Sequence, residues 1–211
     1  HQPGGGQPCD TGTAQFESGE ELRIDSVFAD ADGVVWHVAK TPAPPGIEGR
    51  RARLRIDSER RMILSRHHTA LHVLNTIALR EHGGWITGAQ IGEEHSRIDF
   101  NLPGYSGEMR AEMESKVNAV LDRRLAVTSY FIDEEEFRAR EDLLRTLEAR
   151  PPVNGGRIRV VEIQGFEAQA CGGTHARNTS EVGRFAIIHS ENKGKKNKRL
   201  YIRLDTPLAK I

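Results

Sequence analysis

His68-Thr69-Ala70-Leu71-His72 sets two imidazoles four residues apart. On a helix of about 3.6 residues per turn they project from one face and can grip a single ion. Two histidines so spaced also occur simply packed and hydrogen-bonded, without a metal. The second pair is Cys171-Gly172-Gly173-Thr174-His175, where two glycines let the backbone turn sharply so that thiolate and imidazole converge. Its bland alternative is a flexible loop with a buried cysteine. Together the two pairs outweigh both alternatives: imidazole and thiolate ligands suit zinc, and four of them match its tetrahedral preference. His67 does not join them, because the residue four positions on is Leu71. A zinc protease helix carries Glu directly after its first His as general base; Thr69 stands there, which argues against peptide hydrolysis by that route.

These side chains need elements to hold them. The alternations Leu22, Ile24, then Val34, Trp36, Val38, then Leu54, Ile56 predict a small antiparallel sheet or barrel, broken at Asp32-Gly33 and at the prolines of 42–45. From Asp57 the period changes, and Leu64, His68, Leu71, Asn75 and Ala78 form a helical stripe ended by Gly83-Gly84. A short strand pair is expected across 86–102, where Ile98, Phe100 and Leu102 alternate. Met109, Met113, Val117 and Val120 mark a second helix capped by Ser106, and Asp133 with Glu136 starts a third that ends near Leu147. Segments 157–163, 184–190 and 199–204 read as strands. The order predicts a β-barrel-like piece over residues 1–50 and an α+β domain over 51–211. The opening His1-Gln2-Pro3-Gly4-Gly5-Gly6-Gln7-Pro8 has no strand before it, so further native residues are expected upstream.

Thirty basic and thirty acidic side chains cancel in this 211-residue chain, so attraction to nucleic acid must come from local clustering. Cys9 and Cys171 are too few for a disulfide framework, and a reduced, cytoplasmic setting is expected. No apolar run approaches the roughly 18 residues of a membrane span, and neither a signal peptide nor membrane contact is expected. Lys193-Gly194-Lys195-Lys196-Asn197-Lys198-Arg199 puts five cations in seven positions. Such runs are commonly solvated loops; at a hairpin tip beside the Cys171 motif, phosphate contact is the better reading.

The motifs occur in an order similar to that of the alanyl-tRNA synthetase editing domain and its free-standing AlaX-type relatives. Gly4-Gly5-Gly6-Gln7-Pro8 with Asp10 and Gly12 resembles the family's glycine-rich motif, and the two metal pairs resemble its two zinc motifs. Gln90-Ile91-Gly92 with Arg97-Ile98-Asp99-Phe100 resembles its pocket strands, and Asn178-Thr179 with the basic run continues the pattern. Ile91 departs from it, since a polar or basic residue usually follows the glutamine in the synthetase.

The resemblance implies a small N-terminal β-barrel followed by the α+β editing domain shared by alanyl- and threonyl-tRNA synthetases. It implies a mischarged alanine tRNA as partner, Ser-tRNA(Ala) and also Gly-tRNA(Ala) as substrates, and ester hydrolysis as the reaction. His68, His72, Cys171 and His175 would hold zinc; Gln7, Gln90 and Cys171 would serve catalysis; Thr87, Gln90 and Thr174 would contact substrate; Lys193, Lys195, Lys196, Lys198 and Arg199 would contact tRNA. Surface or turn polarity is the plain alternative for Gln7, Thr87 and Gln90. Zinc can activate water or polarise a carbonyl, yet four protein ligands close the tetrahedron that a catalytic site keeps open. Expansion to five ligands, one loose ligand, or a substrate-orienting role all remain consistent with the residues. Two other functions share the pattern: threonyl-type editing, against which Gly172-Gly173-Thr174 and Gly4-Gly5-Gly6-Gln7 speak, and a zinc-containing RNA-binding module without turnover.

Overall fold

Asp57 opens the helix that carries the first histidine pair: its side chain accepts the Arg60 N–H at 3.1 Å. Helix α1 then runs Ser58–His82 and stops at Gly83, whose φ of 64° is left-handed. The Gly83 and Gly84 N–H groups close back on the Leu79 and Ala78 carbonyls at 3.0 and 2.9 Å, the arrangement that glycine favours at a helix end. The computed structural model describes residues 1–146, 151–194 and 196–205. Burial along α1 is wider than the stripe read from the sequence, since every residue from Leu64 to Ala78 is buried.

Before α1 lie β1 (Gly12–Phe16), β2 (Glu21–Ala29), β3 (Val35–Ala39) and β4 (Ala52–Ile56). They form one antiparallel sheet in the order β3-β2-β1-β4, over a small core of Ala14, Leu22 and Ile24. The expected barrel is not closed, because β3 and β4 are the two free edges of an open sheet. β4 lies past residue 50 but pairs with β1, Leu54 opposite Ala14.

After α1 the chain makes β5 (Trp85–Gln90), β6 (Ser96–Asn101) and α2 (Gly107–Leu121), with Ser106 as the expected cap of α2. It continues with β7 (Val127–Asp133), α3 (Glu134–Arg138), β8 (Val153–Asn154), β9 (Arg157–Ile163), β10 (Glu167–Ala170), β11 (Phe185–Asn192) and β12 (Asn197–Leu204). One sheet has the order β11-β12-β6-β5 and another β10-β9-β7, with β8 on β9; all of their pairings are antiparallel. The main core joins α1 and α2 to the β11-β12-β6-β5 sheet through Leu64, Leu74, Phe100, Met113, Phe185 and Leu200. Asp133 caps α3 as expected, accepting from Glu136 N at 2.7 Å. The helix ends at Arg138 instead of continuing toward Leu147, which lies outside the described residues. Its continuation would carry Leu143 away from Ile132, Ile158 and Val160, the cluster that buries it. Among the described residues no helix is long and apolar enough to cross a membrane.

Candidate metal centre and its cleft

The helix and the glycine turn after β10 bring both pairs together: one ligand atom each from His68, His72, Cys171 and His175 lies within 4.8 Å of all the others. Cys171 Sγ is 3.4 Å from His68 Nε2 and 3.5 Å from His175 Nε2. Gly173 sits against the His68 ring and the Gln7 amide, where a Cβ would overlap both. That contact, more than turning freedom, requires glycine here.

Each imidazole is held from behind by its Nδ1. His68 Nδ1 is 2.7 Å from Gln7 Oε1, an acceptor, so the proton belongs on Nδ1. His72 Nδ1 is 3.3 Å from the buried Glu167 carboxylate. The Thr69 hydroxyl donates to Ser65 O at 2.9 Å, so its oxygen accepts from Ala176 N at 3.1 Å and from His175 Nδ1 at 3.2 Å. Thr69, at the position where a protease would place its base, thus fixes a ring instead. All three tautomers leave Nε2 free for the centre, and such outward bonds orient metal ligands and raise their basicity. Three imidazole nitrogens and one thiolate fit a tetrahedral zinc ion.

Proton affinities follow the crowding. Burial works against a charged His72, but the Cys171 thiolate and the Glu167 carboxylate outweigh it and raise the ring to about 9. Burial, then the charges of His72 and His68, holds His175 well below the usual imidazole range. Burial opposes the Cys171 thiolate, yet His68 and His72 bring it well below an ordinary thiol. The group is built to hold a thiolate, the form that binds metal.

Behind His72, Glu167 accepts from Gln169 Nε2 at 3.0 Å, Asn75 Nδ2 donates to Gln169 Oε1 at 3.2 Å, and Arg145 lies 3.6 Å from the carboxylate. His68, His72, Cys171, Asn75 and Gln169 open onto a cleft of 1140 Å³. Its other walls are the glycine-rich loop at residues 4–6, β5 at Thr87, and Ile24, Val27, Leu54 and Ile56 of the first sheet. A second His/carboxylate group, Glu81, His82 and Glu112, is more exposed, and the Lys116 ammonium is bonded to both of its glutamates.

Residues 158–201 match the family described as threonyl and alanyl tRNA synthetase second additional domain. The chain is 35% identical over 206 residues to the alanyl-tRNA editing protein AlaX-M of Methanosarcina mazei, covering 95% of this chain and 81% of that protein. It is 37% identical to the AlaX-M of Methanosarcina acetivorans, covering 95% and 83%. The chain belongs to the AlaX-M family of alanyl-tRNA editing proteins. It is also 37% identical over 191 residues to the alanine–tRNA ligase of Methanopyrus kandleri, covering 89% of this chain and 20% of the ligase.

Other residues singled out by this family's motifs lie at varying distances from the centre. Gln7 is buried; besides holding His68, it accepts from Thr174 N at 3.0 Å and donates to Thr174 Oγ1 at 2.8 Å. Thr174 also has the Ser65 hydroxyl at 2.7 Å, so its hydroxyl is engaged within the protein. Thr87 is exposed on the cleft wall. Gln90 is exposed at the end of β5, with Oε1 accepting from Arg97 Nε at 2.9 Å, while the next residue donates Ile91 N–H to Gly6 O at 2.7 Å. Lys193, Lys196 and Lys198 lie at the β11–β12 tip, where Lys193 pairs with Glu191 at 3.0 Å and Lys198 bonds Asn192. Arg199 forks the Asp99 carboxylate with two 2.7 Å bonds, so its charge is already matched; Lys195 lies outside the described residues. The sequence reading missed Thr69, Glu167 and Gln169 as supports of the centre. A usable signal existed for the latter two: polar residues at alternate positions of a strand that leads directly into Cys171.

Proposed function

We propose that this chain hydrolyses the ester of Ser-tRNA(Ala), and also of Gly-tRNA(Ala), with zinc held by His68, His72, Cys171 and His175. The observation that carries the reading is the convergence of those four groups, three of which (His68, His72 and Cys171) line the cleft, in an AlaX-M family chain. A bound zinc ion supplies Lewis acidity toward the ester carbonyl or toward water. Gln7 acts as a positioning residue: it keeps the proton on His68 Nδ1 and ties the glycine-rich loop to Thr174. Thr87, and Gln90 beside the glycine-rich loop, are the groups offered to the seryl hydroxyl or the terminal adenosine, and Thr174 contributes through Gln7. A site that hydrogen-bonds a hydroxyl favours serine over alanine, whose lack of one leaves polar groups unpaired. Glycine also lacks it, so its removal rests instead on steric rejection of the alanine methyl. Lys193, Lys195, Lys196 and Lys198 are proposed phosphate contacts, with Arg199 bracing the hairpin. We place the boundary between an N-terminal unit and the editing domain at the end of β4, since that strand pairs with β1.

Four protein ligands favour one other reading, a zinc module that binds RNA without turnover. Incubating the protein with seryl-, glycyl- and alanyl-tRNA(Ala) and following release of the amino acid separates the two. Serine release with alanyl-tRNA spared is expected; no release from any of the three would overturn the catalytic reading.

A further inference from the structure

Strand β4 and the residue before it read Arg51-Ala52-Arg53-Leu54-Arg55-Ile56, and all six are exposed. Side chains alternate along a strand, so Arg51, Arg53 and Arg55 share one face, successive members about 6.8 Å apart. β4 is a free edge of the first sheet. No carboxylate among the described residues lies within ion-pair distance of any of the three, whereas Arg60, Arg61, Arg140 and Arg199 each hold one. In register across β1, Arg55 faces Thr13 and then Arg23, which pairs with Asp25. In a chain of zero net charge this is a local, unmatched row of guanidinium groups. Arg55, the last of the row, is itself part of the wall of the cleft whose floor carries His68, His72 and Cys171, so the row ends at the cleft.

We propose that this arginine edge docks the RNA backbone next to the acceptor end, guiding the aminoacylated terminus into the cleft. The inference rests on the tRNA-hydrolase reading above. Arginine suits the role: its planar fork meets a phosphate with two parallel bonds. Cations on an edge strand also serve to block pairing with another chain, but lysine is the usual choice for that purpose. A blocking role would not require the row to end at the cleft.

The test is binding of a fluorescently labelled, uncharged alanine tRNA transcript to the full chain across a salt series. Each phosphate neutralised contributes roughly 0.9 to the slope of log affinity against log salt on a duplex. The double variant Arg51→Ala/Arg53→Ala should lower that slope by nearly two and weaken binding about tenfold at moderate salt. Arg51→Lys/Arg53→Lys should keep most of the slope, because the charges remain. Should the alanine pair not fold, Arg51→Gln/Arg53→Gln carries the same expectation. A folded variant with wild-type slope and affinity overturns the assignment, as does one that self-associates while binding tRNA normally. The two readings fail separately: wild-type protein that binds tRNA but never releases serine defeats the hydrolase and leaves the edge standing. Wild-type protein that binds no tRNA defeats both.

Discussion

At the His72 ring, the choice of which nitrogen carries the proton falls to Glu167. The carboxylate is fully buried and gives one oxygen to His72, while the other receives Gln169 and faces Arg145. Exchanging it for glutamine keeps the volume but removes the charge that raises the basicity of the ring. It also sets an amide donor against Gln169 or His72. Glu167→Gln should lower zinc affinity by roughly 10- to 100-fold, the usual effect of losing a partner behind a ligand. Competition with a chelator of known affinity measures it, and unchanged affinity would show that Glu167 only fills space. That the four candidate ligands come together was legible because each pair is local, four residues apart. Glu167 was not, because its partner His72 lies 95 residues away in sequence and only the β9–β10 hairpin brings it there.

The elements show the same division between local and distant causes. α1 and α2 were readable from their caps and apolar spacing, Asp57 and Ser106 included. β1, β7 and β10 went unread: Gly12–Phe16 and Val127–Asp133 mix polar and apolar residues, and their burial depends on partner strands from far along the chain. The stripe read along α1 leaves out Arg66, His67 and Thr69, polar residues that the structure buries. Each has an internal partner: Arg66 donates twice to Val182 O, at 3.0 and 2.8 Å, and His67 Nδ1 is 3.0 Å from Ser96 Oγ. Burial, with help from Arg66 and His95, lowers His67 to about 4 from 6.5. The fold therefore prefers neutral His67. Its contribution is intact above pH 6.5 and is lost as pH falls toward 4, where the unfolded chain takes up the proton and the native one resists it. The loss amounts to at most about 3 kcal/mol. Melting curves of wild type and His67→Gln between pH 7.5 and 4.5 isolate this part from zinc release, which affects both. The gap between them should change in favour of the variant as pH drops, and parallel curves would place His67 in contact with water.

At the scale of the molecule, the cleft lies where the open N-terminal sheet, the helix α1 and the other two sheets meet, and His68, His72 and Cys171 of the candidate metal group line it. The principal core, between α1, α2 and the β11-β12-β6-β5 sheet, reaches the cleft wall at Leu71, Ile91 and Ile98 but contains none of the four candidate ligands. That separation lets one substitution ask whether the ion serves the reaction or the fold. Cys171→Ala removes the thiolate and leaves a smaller side chain beside Gly172 and Gly173 that the turn can hold. If zinc serves hydrolysis, serine release from Ser-tRNA(Ala) should fall at least about a hundredfold, since several kcal/mol of charge stabilisation go with the ion. The melting temperature should drop by less than about 5 °C, as a chain of this size shifts roughly 2–4 °C per kcal/mol. If zinc is structural, its binding energy is folding energy, and activity and melting temperature should collapse together. Turnover, melting temperature and zinc content are to be measured on one preparation, so that loss of metal is seen directly. A zinc-depleted Cys171→Ala protein that releases serine at the wild-type rate would defeat both roles and the assignment of the centre with them.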